Sequence, residues 1–255
     1  METTTAIFLI AVGLVGGAWN AIAGGATLFT FPALMAVGLP PVVANATNFL
    51  AMLPSNAAAI PAYRNELRAI GSRVWPLVLV SSAGALVGSL LLVMSEQALF
   101  EVLIPFLILT ATILFAFGSA IADLLKKRLS GGAPTTALFG ALFAFSIYGG
   151  YFGAGLGIIL LAVVQIMGFS PFNVANSLKN LLATTFTLIS IVVFGVGGVI
   201  AWPEAYTMMI GSALGGYMGG RFARLVDEFY LRASVIAFGC ILSAVYFSSL
   251  FLPEA

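Results

Sequence analysis

The chain has no histidine and a single cysteine among its 255 residues. Without histidine it lacks the commonest metal ligand and the one side chain that ordinarily titrates near neutral pH. Cys240 stands alone in an apolar segment, which excludes an internal disulfide and argues against a cysteine-built metal site. Charge is also scarce: Lys and Arg number 10, Asp and Glu 9, together 7% of the chain. Soluble domains carry about 25%. Away from the termini, Glu66, Glu96, Glu101, Asp123, Glu204, Asp227 and Glu228 all stand at the ends of apolar stretches or between them. A proton or sodium relay made of buried carboxylates is therefore disfavoured. An enzyme is not expected, and neither is a cofactor. The glycine-rich phosphate loop ending in Gly-Lys-Ser/Thr is missing too, so the chain does not hydrolyse ATP itself. A net charge of +1 gives no reason to expect nucleic acid.

What is present is apolar surface. Hydrophobic residues make up 61% of the chain, and the mean hydropathy is +1.13. Such a chain cannot cover itself with polar groups in water, so the lipid bilayer is its first partner. Cut at charges and turn residues, the apolar stretches run over 6–36, 42–62, 74–94, 98–122, 134–168, 171–200, 205–222 and 231–252. About 20 residues span the hydrocarbon. The first and fifth stretches are too long for one straight helix, and each has glycines near its middle: Gly24-Gly25, and Gly153, Gly155 and Gly157. The expected fold is an all-α integral membrane protein of about eight helical segments, some broken or re-entrant. Met1-Glu2-Thr3 leads straight into the first stretch, so no cleaved signal peptide is expected.

The chain also repeats itself. Gly38-Leu39-Pro40-Pro41 runs into Asn45 and Asn48, and Gly168-Phe169-Ser170-Pro171 runs into Asn176 and Asn180. Trp75-Pro76 precedes Gly84 and Gly88 as Trp202-Pro203 precedes Gly211 and Gly215. Gly25 and Gly155 stand at the same distance before the two turn glycines. Two copies of one apolar unit are a sequence signature of transporters. The expected organisation is a first repeat over 1–125, a cytoplasmic linker over 126–133 and a second repeat over 134–255.

Charges orient the copies. Arg64, Arg68 and Arg73, then Lys126, Lys127 and Arg128, then Arg221, Arg224 and Arg232 mark three basic connections, which face the cytoplasm by the positive-inside rule. Three full crossings between the second and third would put the third outside. The conflict vanishes if 134–168 folds back at its glycines, and by the repeat 6–36 does the same. The rival within each repeat is the following stretch, broken in the first copy at Pro54. Equivalent connections then carry opposite charge patterns, as in halves inserted upside down relative to each other. Both termini are placed in the periplasm.

Polar groups inside the apolar stretches are the candidate site. Asn20, Asn45, Asn48, Asn176 and Asn180 each bring donors and acceptors that hydrocarbon cannot satisfy; the competing reading is that they join helices. Lys179 costs roughly 2.5–3.5 kcal/mol at the centre of a span, and no acidic residue lies within a turn or two. Such a cation suits an anion site, unless its stem carries the charge to an interface. Gly24, Gly25, Gly153 and Gly155 permit breaks whose freed amides would cradle an anion, or they serve tight packing. Thr27 and Tyr151 flank the breaks. Arg64, at the end of a span, is a candidate gate. Gly84, Gly88, Gly211 and Gly215 read as helix packing.

Asn20-Ala21-Ile22-Ala23-Gly24-Gly25-Ala26-Thr27, the Gly38-Leu39-Pro40-Pro41 turn, Ala44-Asn45-Ala46-Thr47-Asn48, Tyr63-Arg64, and Tyr148 through Gly157 resemble the sulfite exporter TauE/SafE family of bacterial membrane proteins. The resemblance covers nearly the whole chain, with one departure: Ala26 stands where many relatives have a third glycine. It implies a secondary carrier for a small anionic substrate, such as sulfite, sulfoacetate, another sulfonate or thiosulfate. Export across the inner membrane follows from the resemblance alone. An anion channel and a non-transporting membrane assembly subunit are the alternatives, and the reading admits a homo-oligomer.

Overall fold

A computed structural model describes residues 2–22, 25–57, 60, 64–129, 134–222 and 228–251. Among them the protein is all α, with eleven helices: α1 (Thr3–Ile22), α2 (Thr27–Ala36), α3 (Pro41–Ala57), α4 (Arg64–Ile70), α5 (Val74–Met94), α6 (Gln97–Leu129), α7 (Thr135–Tyr151), α8 (Gly157–Ile166), α9 (Phe172–Val196), α10 (Trp202–Phe222) and α11 (Glu228–Phe251). A 3-10 turn, Gly71–Arg73, joins α4 to α5. Thr3–Asn20, Arg64–Met94, Gln97–Ile121 and Phe172–Val196 are each long and apolar enough to cross a membrane.

The helices are inside out relative to a soluble protein. α5 buries Ser81, Gly84, Gly88 and Ser89 while exposing Leu79, Leu86, Leu90 and Leu91. In water that arrangement would leave a large apolar patch bare. In lipid it places small residues at helix contacts and leucine against acyl chains. The protein is a multi-pass membrane protein.

Helix ends follow local chemistry. α2 closes on Gly38 in the left-handed region (φ 94°), with the Leu39 amide donating to the Leu34 carbonyl at 3.3 Å. α8 closes the same way on Gly168 (φ 88°), with Phe169 donating to Val164 at 3.1 Å. These αL caps satisfy carbonyls that the helix leaves without partners.

The two longest apolar stretches are each divided, into α1 and α2 and into α7 and α8. Contacts give the direction of the first pair. The Asn20 amide nitrogen at the end of α1 donates to Ser55 Oγ (2.9 Å) and Asn56 Oδ1 (2.7 Å) at the end of α3, while Gly16 faces Met52 one turn earlier. α1 and α3 therefore run parallel. The tight turn at 37–40 makes α2 antiparallel to α3, so α2 doubles back on α1. Pro54 lies within α3 without ending it. α6 continues to Leu129, so 126–129 of the segment expected as a linker are helical, and 130–133 lie outside the described residues.

Glycines set the closest helix contacts. A Cβ on Gly211, Gly215 or Gly219 of α10 would overlap the carbonyls of Ile10, Leu14 and Ala18 on α1, in parallel register. On α5, Gly84 and Gly88 meet Phe143 and Ile147 of α7 in the same way. α6 and α11 cross antiparallel, with Gly239 against Thr112 and the rings of Phe106 and Phe247 5.1 Å apart.

Candidate functional site

The two helix breaks meet on one turn of α6. Gly25 (φ 78°) has no Cβ where one would lie 2.9 Å from the Phe115 ring. Gly155 (φ 75°) lies against the carbonyl of Ala111, 2.6 Å from the site of its missing Cβ. Both positions need glycine twice over, for the left-handed backbone and for the approach. The residues immediately after each break begin α2 and α8. Two half-helix N-termini thus reach the middle of α6; at α2 the Leu28 and Phe29 amides already donate to the Gly25 and Ala26 carbonyls, at 3.1 and 3.0 Å. Each end carries a partial positive charge from the helix dipole.

Asparagines of α3 hold this arrangement. Asn48 is buried; its carboxamide oxygen accepts from the Thr30 hydroxyl at 2.7 Å, and its nitrogen donates to Thr27 Oγ1 at 3.3 Å. It ties α3 to the first turn of α2. Asn45, fully buried, donates to the Tyr151 carbonyl at 2.8 Å and so fastens α3 to the end of α7. The Tyr151 hydroxyl shares a 3.3 Å hydrogen bond with Ser95 Oγ. Gly153 (φ 75°) brings its backbone against Phe49. Asn48→Leu removes both links to α2 and is expected to cost about 1 kcal/mol. The check is a melting temperature lower by about 2–4 °C.

Lys179 and Asn180 lie half-buried in the second turn of α9, and among the described residues neither makes a hydrogen bond or ion pair. Leu156, the residue before α8, packs in the same apolar cluster as Leu178 and Leu182, which bracket Lys179. This turn of α9 accordingly belongs to the α8 side of the protein. Phe194, whose ring meets Phe49 of α3 at 5.3 Å, follows about 22 Å further along the α9 axis at 1.5 Å per residue. Asn176 is half-buried on the preceding turn. Asn20 is engaged with Ser55 and Asn56 and joins no other candidate. Arg64 is exposed on α4. Gly24 lies outside the described residues.

Sequence reasoning did not reach the buried hydroxyls. Thr184, Ser190 and Ser212 have buried oxygens with no partner among the described residues. Nothing in their local sequence separates them from Ser89 or Ser146, whose hydroxyls bond carbonyls four residues back.

Broken helices meeting inside an apolar bundle are an arrangement that membrane transporters build around their substrate sites. The chain belongs to the sulfite exporter TauE/SafE family, whose profile matches residues 9–246. It is 34% identical over 241 residues to a probable membrane transporter protein of Haemophilus influenzae, covering 92% of each chain. It is 27% identical over 255 residues to the probable membrane transporter protein YfcA of Escherichia coli K12, covering 96% of this chain and 93% of that one. A probable membrane transporter protein, ORF9, of a Sinorhizobium species is 27% identical over 217 residues, covering 85% and 82%. No solved structure matches the chain.

Proposed function

We propose that this transporter carries small sulfur-containing anions, sulfite, sulfoacetate or a related sulfonate, out across the bacterial inner membrane by alternating access. The observation that carries the reading is the meeting of the α2 and α8 N-termini at Ala111 and Phe115. Two positive dipole ends in an apolar interior favour an anion. A sulfonate offers three acceptor oxygens, and the surrounding donors are neutral. Lys179, half-buried beside α8 without a counter-charge among the described residues, adds one full positive charge. One cation and neutral amides attract a monovalent anion without holding it too tightly to release.

In this reading α1–α6 and α7–α11 are two repeats inserted in opposite senses, with both termini in the periplasm. The antiparallel crossing of α6 and α11 supports the inversion, as do the matching glycine contacts of α1 with α10 and α7 with α5. Alternating access then consists of one repeat tilting against the other about the fixed breaks.

Thermal unfolding of the purified protein against sulfite, sulfoacetate, taurine, thiosulfate, sulfate, acetate and chloride tests the substrate class. A ligand at ~100 times its Kd stabilises the folded state by about 2.7 kcal/mol, or ~5–10 °C in a chain of this size. Stabilisation by sulfite or a sulfonate and not by sulfate or acetate is expected. A flat response at high ligand would count against the proposal.

A further inference from the structure

The break between α7 and α8 has two ends, and the anion uses only one. At the other, the Tyr148 carbonyl accepts from both the Phe152 and Gly153 amides, at 2.9 and 3.0 Å. The amides after the helix therefore bypass the Gly149 and Gly150 carbonyls, which stay on the negative end of the α7 dipole. Asn45 reaches into this turn. Its nitrogen is fixed by the Tyr151 carbonyl, which a carboxamide oxygen could not replace, so the orientation of the group is determined by its partner. The Asn45 oxygen is then left fully buried, with no donor among the described residues. An acceptor in that position calls for a positive or hydrogen-bearing occupant.

We infer that a sodium ion binds at the C-terminal end of α7, held by the Asn45 side-chain oxygen and the last-turn carbonyls of α7. Every ligand is neutral, which suits a monovalent ion; no group of three or more acidic, His or Cys side chains exists among the described residues to hold a divalent one. The turn is closely packed: a Cβ at Gly153 would lie 2.9 Å from the Gly149 oxygen and 3.3 Å from the Phe49 ring, closer than a methyl group can come, so of the alkali cations the smaller sodium is the one to expect. The ion would sit at the negative end of α7, with the anion at the positive end of α8 only a few residues away. Each charge attracts the other across an apolar medium, so each ion strengthens the binding of the other, and the effect is reciprocal. The inference rests on the anion reading for its coupling but not for its occupancy, and it holds whether the cation travels or stays.

The test uses the full-length protein in detergent at matched ionic strength in sodium, potassium or N-methylglucamine chloride, with and without sulfite. Sodium alone is expected to raise the melting temperature by about 3 °C or more and to tighten sulfite binding at least about 5-fold. Asn45→Leu should lose the sodium increment. Equal melting temperatures in all three salts, or a sodium increment that survives in Asn45→Leu, overturns the cation site. Sulfite binding that is equal in all salts overturns the coupling while leaving the anion reading intact. A sodium increment with no sulfite binding in any salt overturns the anion reading while leaving the cation site intact.

Discussion

Lys179→Met is expected to abolish anion-driven transport and at the same time to raise the melting temperature. The two effects have one cause. Lys179 lies within α9, half-buried, without a hydrogen bond or ion pair among the described residues. A cation at the centre of a span costs roughly 2.5–3.5 kcal/mol; two turns into α9 the cost is a part of that, and methionine of similar length fills the same space without it. Relief of half the full cost raises the melting temperature by about 3–6 °C. Uptake and efflux of radiolabelled sulfite in proteoliposomes should fall to the level of empty vesicles. Lys179→Arg keeps the charge but spreads it over a planar group, so it should retain stabilisation by sulfite with weaker affinity. A lysine that only lengthens toward an interface predicts otherwise: Lys179→Met would transport normally and melt unchanged. That result would remove the charge from the proposed site and leave only the helix N-termini.

The breaks were legible because glycine is required there for reasons that act locally. A left-handed backbone at Gly25, Gly153 and Gly155 can be anticipated from the residue alone. The folding back of 6–36 was legible only through the repeat, carried over from 134–168, where a basic connection on the wrong side demands one fewer crossing. What those glycines touch was not legible. The Asn45 bond to Tyr151 joins residues 106 positions apart, and Gly25 and Gly155 meet on α6 only through the fold. Tyr151 shows the limit plainly. The sequence marks it as flanking a break, but it is the backbone carbonyl of Tyr151 that holds Asn45. The buried hydroxyls were hidden for another reason. A Ser or Thr in a helix can satisfy itself on the carbonyl four residues back, as Thr112 does on Ile108 and Thr187 on Ala183. Only packing reveals that Ser190 and Ser212 do not.

Gly215→Val should prevent the protein from being recovered folded, and the reason lies in how α1 meets α10. A Cβ at Gly215 would overlap the Leu14 carbonyl, and backbone cannot rotate aside as a side chain can. The helices would have to separate along the register that also seats Gly211 on Ile10 and Gly219 on Ala18. Overpacking in a tight core costs about 1–3 kcal/mol, sometimes more. Here the added atoms meet main chain, so the upper end or beyond is expected. In lipid there is little to offset it, because separated helices gain no hydrophobic burial that acyl chains do not already supply. Gly88→Val, against Ile147 in the α5–α7 pair, should fail comparably. Gly140 provides the contrast: it lies in α7 with open space around its missing Cβ, so Gly140→Ala should be neutral or stabilise by about 0.5–1 kcal/mol through helix propensity. Size-exclusion chromatography and thermal melts of the three variants check this directly. A monodisperse, wild-type-like Gly215→Val would show that α1 and α10 are not held at backbone contact, and the fixed frame on which both breaks are mounted would have to be sought elsewhere.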